Sequence, residues 1–367
     1  MNRRVLFCDS SRVWGGVEHW MVLTAGELRK RGWQVAIAGR TSGELLRRAT
    51  TAGIPTVPWP FRWAADPVTL LQARRYLRRE CPDLVVVALG KDIRLVGLAA
   101  RRQGIPVLWR VGVPYPHLGW WHRVTGKLSV TRVITPSDYL RASLEKTAGL
   151  AGKIDVVPNG LVLPELPTAI RIAQARRQLS WSPDEFVILW AGRFKRQKGV
   201  DVLITAFAAL PDPRRLRLVL AGTGPEGARL RQAAAQVPMG LSIEFVGYQS
   251  DLSRYLDACD LLVLPSRMET FGNVILEAMA RGKPIVATRV GGIPATVGED
   301  AALLVPPDDP VSLASAISRL REDTAAGELM GRAGRLRVEE HFTADRMTDG
   351  IEAVFLRVLG QESAKRA

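Results

Sequence analysis

Residues Ser266–Glu277, S-R-M-E-T-F-G-N-V-I-L-E, carry the most informative local pattern of this sequence. This stretch follows the apolar run 261–265, which predicts a buried strand ended by a proline. It precedes residues 274–281, where apolar side chains recur at helical spacing and predict a helix. The sequence therefore predicts a strand, a loop and a helix in direct succession.

Two carboxylates bracket this loop. Glu269 is predicted in the loop, and Glu277 about one turn into the helix. At about 1.5 Å of rise per residue, a helical path would separate them by roughly 12 Å. That is too far for two carboxyl groups that share one proton, but it suits the two ends of a nucleotide-sugar. The simpler alternative is an acidic loop followed by a helix with a solvated Glu277.

Four backbone N–H groups lie between the two acids, at the predicted start of the helix. They belong to Thr270, Phe271, Gly272 and Asn273. The first N–H donors of a helix lack intrahelical partners and the helix dipole favours negative charge, so such groups bind phosphate. The loop therefore offers an acid for a sugar, a cradle for a diphosphate and an acid for a ribose.

The longer motif E-T-F-G-N-V-I-L-E-A-M-A, followed by G-K-P-I-V-A-T-R-V-G-G-I-P, resembles the signature of family 4 of the retaining glycosyltransferases. The resemblance implies the GT-B fold, an α/β architecture of two Rossmann-like domains that face each other across a cleft. It also implies a last helix that crosses back to the first domain. We expect an acceptor-binding domain at 1–165 with the returning helix 342–367, and a nucleotide-sugar-binding domain at 166–341.

The string G-G-V-E-H-W beginning at Gly15 resembles the N-terminal signature of the same family. The resemblance implies that the backbone of Gly15 and Gly16 approaches the donor diphosphate, where any Cβ would block the contact. Taken alone, the two glycines would indicate an ordinary turn. V-V-P-N-G at 156–160 resembles the approach to the family's interdomain linker.

The segment G-R-F-K-R-Q-K-G at 192–199 resembles the family's phosphate-binding loop, which assigns that role to Arg193 and Lys198. Fixed cations there would stabilise the charge that grows on a leaving diphosphate. An exposed basic loop is the alternative. Gly222 opens G-T-G-P-E-G, which fits a dinucleotide fingerprint but does not lie in the first unit of its domain. The family resemblance implies a turn lining the donor site instead.

The candidate acceptor-binding residues form no motif comparable to those of the donor site. Lys91 and Arg94 follow a buried apolar strand at its carboxyl end, where open α/β sheets bind ligands. We expect them to bind an anionic acceptor or the donor phosphates. Trp120 and Trp121 suit a membrane interface or a sugar-stacking surface, and a pair of core tryptophans is the alternative.

Many family members place a histidine near the sugar at the end of a first-domain strand, and this sequence departs from that pattern. Arg110 ends the corresponding strand, and His117 is the nearest substitute. By resemblance, the candidate catalytic residues are therefore Glu269, Arg193, Lys198 and His117.

The net charge of +15 is unevenly distributed. Residues 1–165 hold 25 Lys/Arg and 12 Asp/Glu, a net +13, whereas residues 166–367 hold 26 and 24, a net +2. Anionic lipid, a phosphorylated acceptor and nucleic acid are the three partners that such charge favours. No nucleic-acid-binding module is recognisable, so we expect no specific nucleic acid.

The lengths of the apolar runs and the cysteine content indicate where in the cell the protein is located. No apolar run approaches the ~20 residues of a spanning helix. Three scattered cysteines indicate reduced thiols in the cytosol, and no metal-ligand cluster is visible. We expect a cytoplasmic protein that binds peripherally to the anionic inner face of the cell membrane.

Together these features predict a retaining transferase that moves a sugar from a UDP- or GDP-linked donor to a glycolipid, lipopolysaccharide or other cell-envelope acceptor, with no cofactor or metal required. Two alternatives remain open. One is a non-catalytic nucleotide-sugar-binding protein, and the other is a different GT-B enzyme, such as an epimerase or a phosphorylase.

Overall fold

The computed structural model describes residues 3–113, 124, 128–146, 150–211, 215–238 and 241–366, with side chains described up to residue 361. The chain forms two compact units. Unit 1 comprises Met1–Gly160 and Ala344–Ala367, and unit 2 comprises Leu161–Thr343. The chain thus leaves unit 1 directly after V-V-P-N-G, slightly before the expected boundary at residue 165.

Unit 1 is built on a seven-stranded parallel sheet. Its strands are β1 (Arg4–Asp9), β2 (Gln34–Arg40), β3 (Thr56–Trp59), β4 (Leu84–Val87), β5 (Val107–Arg110), β6 (Arg132–Thr135) and β7 (Ile154–Val156). Their order across the sheet is β3-β2-β1-β4-β5-β6-β7, a Rossmann order with one added strand. The order reverses between β1 and β4, so ligands are expected at the carboxyl ends of these two strands.

Helices connect these strands, and local sequence signals fix several of their ends. The described helices between the strands are α1 (Gly16–Lys30), α2 (Glu44–Thr51), α3 (Pro67–Glu80), α4 (Gly90–Asp92), a π-helical segment (Ile93–Gly97), α5 (Leu98–Arg101) and α6 (Asp138–Glu145). Asp66 caps α3 by accepting from the Val68 N–H at 3.2 Å, with Pro67 in the first turn. After β4, helical structure begins at Gly90 and includes the π turn at Ile93–Gly97.

Unit 2 repeats the plan with a six-stranded parallel sheet. Its strands are β8 (Phe186–Ala191), β9 (Leu216–Ala221), β10 (Ser242–Gly247), β11 (Leu261–Leu264), β12 (Ile285–Thr288) and β13 (Leu303–Val305). Their order is β10-β9-β8-β11-β12-β13, so the reversal falls between β8 and β11. All four residues of β11 are fully buried, as expected for a strand covered on both faces.

The helices of unit 2 include the one that follows the opening loop of the sequence analysis. They are α7 (Ala169–Gln178), α8 (Val200–Ala208), α9 (Gly227–Ala234), α10 (Ser253–Ala258), α11 (Asn273–Met279), α12 (Ile293–Val297), α13 (Pro310–Glu322) and α14 (Thr324–His341), with a 3₁₀ turn at Arg196–Lys198. Gly272, in the left-handed conformation, precedes α11. The predicted strand–loop–helix succession is therefore confirmed.

The last helix, α15 (Ala344–Arg366), belongs to unit 1. Its buried residues Met347, Ile351 and Phe355 recur every four positions and join the core beside α1. The Phe355 ring lies 5.6 Å from that of Trp33, whose Nε1–H donates to Glu352 at 2.7 Å. This confirms the prediction that the last helix returns to the first domain. No described helix is both long and apolar enough to cross a bilayer.

Candidate active site

The predicted donor residues of unit 2 gather where the strand order reverses. The loop after β8 carries Arg193 and Lys198, and the loop after β11 carries Glu269. Because β8 and β11 are adjacent parallel strands, both loops leave the sheet at the same edge. This is the edge at which open α/β sheets bind ligands.

Lys198 and Glu269 form an ion pair between the two loops. The Lys198 Nζ donates to Glu269 Oε2, with the two side chains 21% and 11% exposed. The other carboxylate oxygen accepts from the Thr270 N–H at 3.3 Å. A partly buried pair is screened less by solvent than a surface pair. The pair therefore holds a cation and an acid together at the ligand edge.

The backbone of Glu269 is fixed from a third loop, which follows β12. The Glu269 carbonyl accepts from the Gly292 N–H at 3.0 Å. Gly291 has φ +57°, and a Cβ there would lie 1.8 Å from the Glu269 carbonyl oxygen. Only glycine permits this approach. In the sequence, Gly291 and Gly292 were noted only as part of the family motif, and their contact with Glu269 was not predicted.

Arg193 is exposed, and its guanidinium makes no hydrogen bond or ion pair with any described residue. Its loop is nevertheless ordered by the next residue. The Phe194 ring stacks on Trp190 with centroids 5.3 Å apart, and the Phe194 N–H donates to the Thr223 carbonyl at 2.9 Å. The guanidinium is therefore available at the ligand edge on a backbone that packing holds in place.

Gly222 has a structural reason to be glycine. Its φ is +157°, and a Cβ would lie 1.8 Å from the Gly192 carbonyl oxygen. The turn after β9 consequently packs directly against the loop that carries Arg193. The described contact of Gly222 is with this backbone, which makes it a support for the Arg193 loop.

Glu277 lies on α11 and is partly buried. Burial raises the pKa of its carboxyl to about 7, against the opposing effect of Arg281 and with a further increase from Asp251. Arg281 donates to the Glu277 backbone carbonyl at 3.0 Å. The Glu277 carboxyl itself has no hydrogen-bond partner among the described residues. Such a group gains from a ligand that supplies hydroxyl donors.

Unit 1 presents a second polar cluster at the carboxyl ends of β1 and β4. Asp92 is fully buried and accepts from the Ser10 hydroxyl and from the Leu89 N–H, the latter at 2.9 Å. Burial raises the pKa of Asp92 to about 6 and that of Asp9 well above its ordinary range. Burial lowers the pKa of the neighbouring Lys91.

From the sequence we expected ligand roles at this edge for Lys91 and Arg94, and assigned none to the two aspartates. The only signal was their position, since Asp9 ends β1 and Asp92 follows Lys91. Arg94 lies in the π-helical segment and is half-buried. Gly15 directly precedes α1, which begins at Gly16, and a Cβ on Gly15 would lie 3.2 Å from Glu18 Oε2.

Arg110 has a packing role. Its side chain is buried, donates to the Val111 carbonyl at 3.0 Å and also hydrogen-bonds Asn159. The guanidinium lies 4.7 Å above the Trp20 ring, and burial lowers its pKa to about 9. Arg110 thus joins the end of β5 to the V-V-P-N-G segment. His117, Trp120 and Trp121 lie outside the described residues.

Among the described residues, no group of three or more His, Cys, Asp or Glu side chains could hold a metal ion.

Comparison with known proteins identifies the class of protein to which this chain belongs. Residues 14–163 match the model of the glycosyltransferase family 4, and residues 185–323 match that of the glycosyl transferases group 1. HepE from Anabaena, crystallised with UDP and glucose, superposes with a TM-score of 0.86 at 22% identity, covering 97% of this chain and 100% of that chain. The architecture is therefore that of the GT-B glycosyltransferases.

Two curated relatives align over nearly the whole chain. The D-inositol 3-phosphate glycosyltransferase of Saccharomonospora viridis is 34% identical, covering 93% of this chain and 89% of the relative. The lipopolysaccharide core biosynthesis glycosyltransferase LpsD of Rhizobium meliloti is 29% identical, covering 94% and 95%. The chain belongs to the family 4 glycosyltransferases of the GT-B fold.

Proposed function

We propose that this glycosyltransferase is a retaining enzyme that moves a sugar from a UDP- or GDP-linked donor to a hydroxyl of a glycolipid, lipopolysaccharide or other cell-envelope acceptor. The observation that carries the proposal is the Lys198–Glu269 ion pair at the ligand edge of unit 2. A cation and an acid held together meet two needs of a nucleotide-sugar, which are neutralisation of the diphosphate and hydrogen bonding to the sugar. The UDP bound in the HepE crystal and the lipopolysaccharide core biosynthesis for which LpsD is named support this donor and acceptor class.

The proposed reaction exchanges one C–O bond at the anomeric carbon for another and moves one proton. The acceptor oxygen bonds to the anomeric carbon as the bond from that carbon to the diphosphate oxygen breaks. The electron pair of the broken bond goes to the diphosphate, and Arg193 and Lys198 stabilise its growing charge. The acceptor proton passes to the departing phosphate on the same face, so the anomeric configuration is retained.

The two acids bind different parts of the donor. Glu269 binds sugar hydroxyls from its fixed position beside Lys198, and Glu277 binds the ribose hydroxyls. Backbone N–H groups of residues 270–273 contact the diphosphate. The absence of a hydrogen-bond partner for the Glu277 carboxyl among the described residues favours this role, because ribose would supply one.

The acceptor is assigned to unit 1. Lys91 lies beside buried Asp92 at the carboxyl end of β4, and Arg94 follows within one helical turn. We assign an anionic or lipid-linked acceptor to this edge, and a peripheral position on the inner face of the cell membrane to the enzyme. The net +13 of residues 1–165 supports both assignments.

Calorimetry with free UDP and free GDP tests the division of roles. Glu277→Ala should weaken binding of the preferred nucleotide, because its contact is with the ribose. Glu269→Ala should leave that affinity nearly unchanged and depress turnover of the complete donor. Equal losses of nucleotide affinity in the two variants would contradict the assignment.

A further inference from the structure

The outer face of α3 concentrates positive charge on unit 1. Residues 74–80 contain four arginines and one glutamate. Thr69, Ala73 and Leu77 are buried at helical spacing, so the opposite side of the helix faces solvent. A shallow groove of about 490 Å³ lies on this side, lined by Leu71, Arg74, Arg75, Arg78 and Arg79. Leu71 is 63% exposed within it.

Most of this charge is not neutralised within the protein. Arg79 pairs with Glu80 at 2.8 Å. The guanidinium groups of Arg74, Arg75 and Arg78 make no ion pair or hydrogen bond with any described residue. Three like charges within five residues repel one another, and an anionic surface would relieve that repulsion.

An exposed tryptophan adjoins the helix on a loop that is well fixed. Trp63 is 55% exposed. The preceding Phe61 is buried with φ +43°, an uncommon conformation for a bulky side chain, and its N–H donates to Thr69 Oγ1 at 2.9 Å. Asp66 accepts from the Arg62 N–H at 3.1 Å. The loop therefore presents Trp63 to solvent from an ordered backbone.

This loop is also tied to the ligand edge of unit 1. Arg40 donates to the Pro60 carbonyl at 3.3 Å and to the Ser10 carbonyl at 2.8 Å. Ser10 follows β1 and hydrogen-bonds Asp92. The start of α3 therefore lies near the edge to which the acceptor is assigned.

We propose that the α3 face, made of Trp63, Leu71, Arg74, Arg75, Arg78 and Arg79, docks unit 1 onto an anionic lipid bilayer. Trp63 and Leu71 enter the headgroup region, where amphipathic aromatic rings are favoured, and the arginines contact lipid phosphates. An exposed tryptophan and leucine beside unpaired arginines fit a bilayer better than a nucleic acid, which has no apolar layer to receive the leucine. The delivery of acceptor to this surface rests on the proposed function, whereas docking itself does not require it.

Sedimentation with vesicles tests the docking without donor or acceptor. The full chain should bind vesicles of phosphatidylcholine with phosphatidylglycerol, ignore pure phosphatidylcholine, and dissociate at high salt. The triple variant Arg74→Gln, Arg75→Gln, Arg78→Gln should bind about 100-fold more weakly, since each cation contributes about fivefold near an anionic membrane. Trp63→Ala should also weaken binding.

The matched control removes the same charge from unit 2. Arg177, Arg319 and Arg332 are exposed, and their triple replacement by Gln should change vesicle binding by less than about tenfold. Thermal melting shows whether each variant is folded. An equal loss in both triple variants would overturn the proposal, because binding would then follow net charge and not the α3 face.

A label near the end of α3 gives an independent readout. Cys81 is exposed, whereas Cys8 and Cys259 are buried, so a polarity-sensitive dye should react at Cys81. Its emission should shift to the blue on anionic vesicles. Vesicle binding with unchanged emission would place the docking surface elsewhere. Preference for a single-stranded RNA over the vesicles, lost in the α3 variant, would overturn the lipid assignment in favour of nucleic acid. Sugar transfer to a short soluble acceptor is measured separately and should survive in the α3 variant.

Discussion

At the residue scale, the two cations of the candidate donor site have different surroundings. Lys198 is held by Glu269, while Arg193 in the same loop makes no ion pair with any described residue. Both are assigned to the diphosphate, but they start from different states. In the proposed complex, Glu269 already positions Lys198, whereas Arg193 would gain its first strong partner from the ligand.

Removing either cation should slow transfer without unfolding unit 2. Arg193→Ala and Lys198→Ala each delete a contact that strengthens in the transition state, which by oxyanion-type precedent is about 2.7–4 kcal/mol of barrier, or 10²–10³ in kcat. Lys195→Ala is the matched control, since Lys195 is exposed in the same loop and has no assigned contact. Steady-state kinetics measure all three variants. Wild-type turnover in both Arg193→Ala and Lys198→Ala would refute the diphosphate assignment.

The raised pKa of Glu277 predicts a pH dependence of stability. Its pKa is about 7 in the folded protein, above the ordinary value of 4.5. Between these values the folded state holds a proton that the unfolded state releases. The contribution of Glu277 to stability is therefore complete below about pH 4.5 and is lost as the pH rises through about 7.

Glu277→Gln should remove this dependence, because glutamine does not titrate. The melting temperature of the variant should fall less than that of the wild type between about pH 4.5 and pH 8. Glu299→Gln, at an exposed position, should keep the wild-type slope. Parallel curves for wild type and Glu277→Gln would show that burial of Glu277 does not control its titration.

At the element scale, loops from neighbouring strands position the site. Glu269 lies on the loop after β11. Its backbone carbonyl accepts a hydrogen bond from the loop after β12, and its carboxylate forms an ion pair with Lys198 of the loop after β8. Thr296 of α12 donates to the Phe271 carbonyl at 3.0 Å, which fixes the next part of the same loop. β8, β11 and β12 are neighbours in the sheet, so their three loops lie side by side. The contacts between these loops fix the position of Glu269.

Gly291→Ala tests this arrangement at the element scale. The new Cβ would lie 1.8 Å from the Glu269 carbonyl oxygen, so the two loops must separate. A displacement of about 1 Å at a catalytic group can cost about 10²-fold in rate. Gly53→Ala is the control, because Gly53 has a similar φ of +68° but nothing within 4 Å of its Cβ.

Both alanine variants should lose about 1 kcal/mol of stability from the left-handed backbone, and Gly291→Ala should lose more. Only Gly291→Ala should lose most of its transferase activity when the two variants are assayed where both are folded. Equal activity in the two variants would mean that the Gly291 contact does not position Glu269.

The sequence revealed elements and loops better than contacts between them. The apolar runs of β4 and β11 and the loop before α11 could be predicted because their signals are local. The pairing of Ser10 with Asp92 could not, since it joins residues 82 positions apart. It depends on β1 lying beside β4, and periodicity does not specify strand order. The π turn after Gly90 likewise left no local signal that distinguishes it from an α-helix.

The same limit applies within the site. The charged residues Arg193, Lys198 and Glu269 were recognised through family motifs, but the motif does not say that Lys198 and Glu269 touch. The role of Gly291 was invisible because its constraint is the carbonyl of another loop. A glycine in the sequence does not show which neighbouring group requires the absence of a side chain.

At the scale of the whole molecule, the two units are built on similar parallel sheets but differ in net charge. Residues 1–165 hold the excess positive charge, and residues 166–367 are nearly balanced. The assignments follow this difference, with the donor on unit 2 and an anionic acceptor or membrane on unit 1. The α3 face locates part of the unit 1 charge on one exposed helix.

Retaining sugar transfer from a nucleotide diphosphate donor can be tested through the anomeric configuration of the product. The wild-type protein is incubated with a panel of UDP- and GDP-sugars and a cell-envelope glycolipid fraction, with Lys198→Ala as the control. NMR of the product's anomeric proton should show the donor's configuration, and Lys198→Ala should yield at least about 10²-fold less product. A product of inverted configuration would rule out a retaining mechanism, and an equal amount of product from Lys198→Ala would rule out the donor site proposed on unit 2.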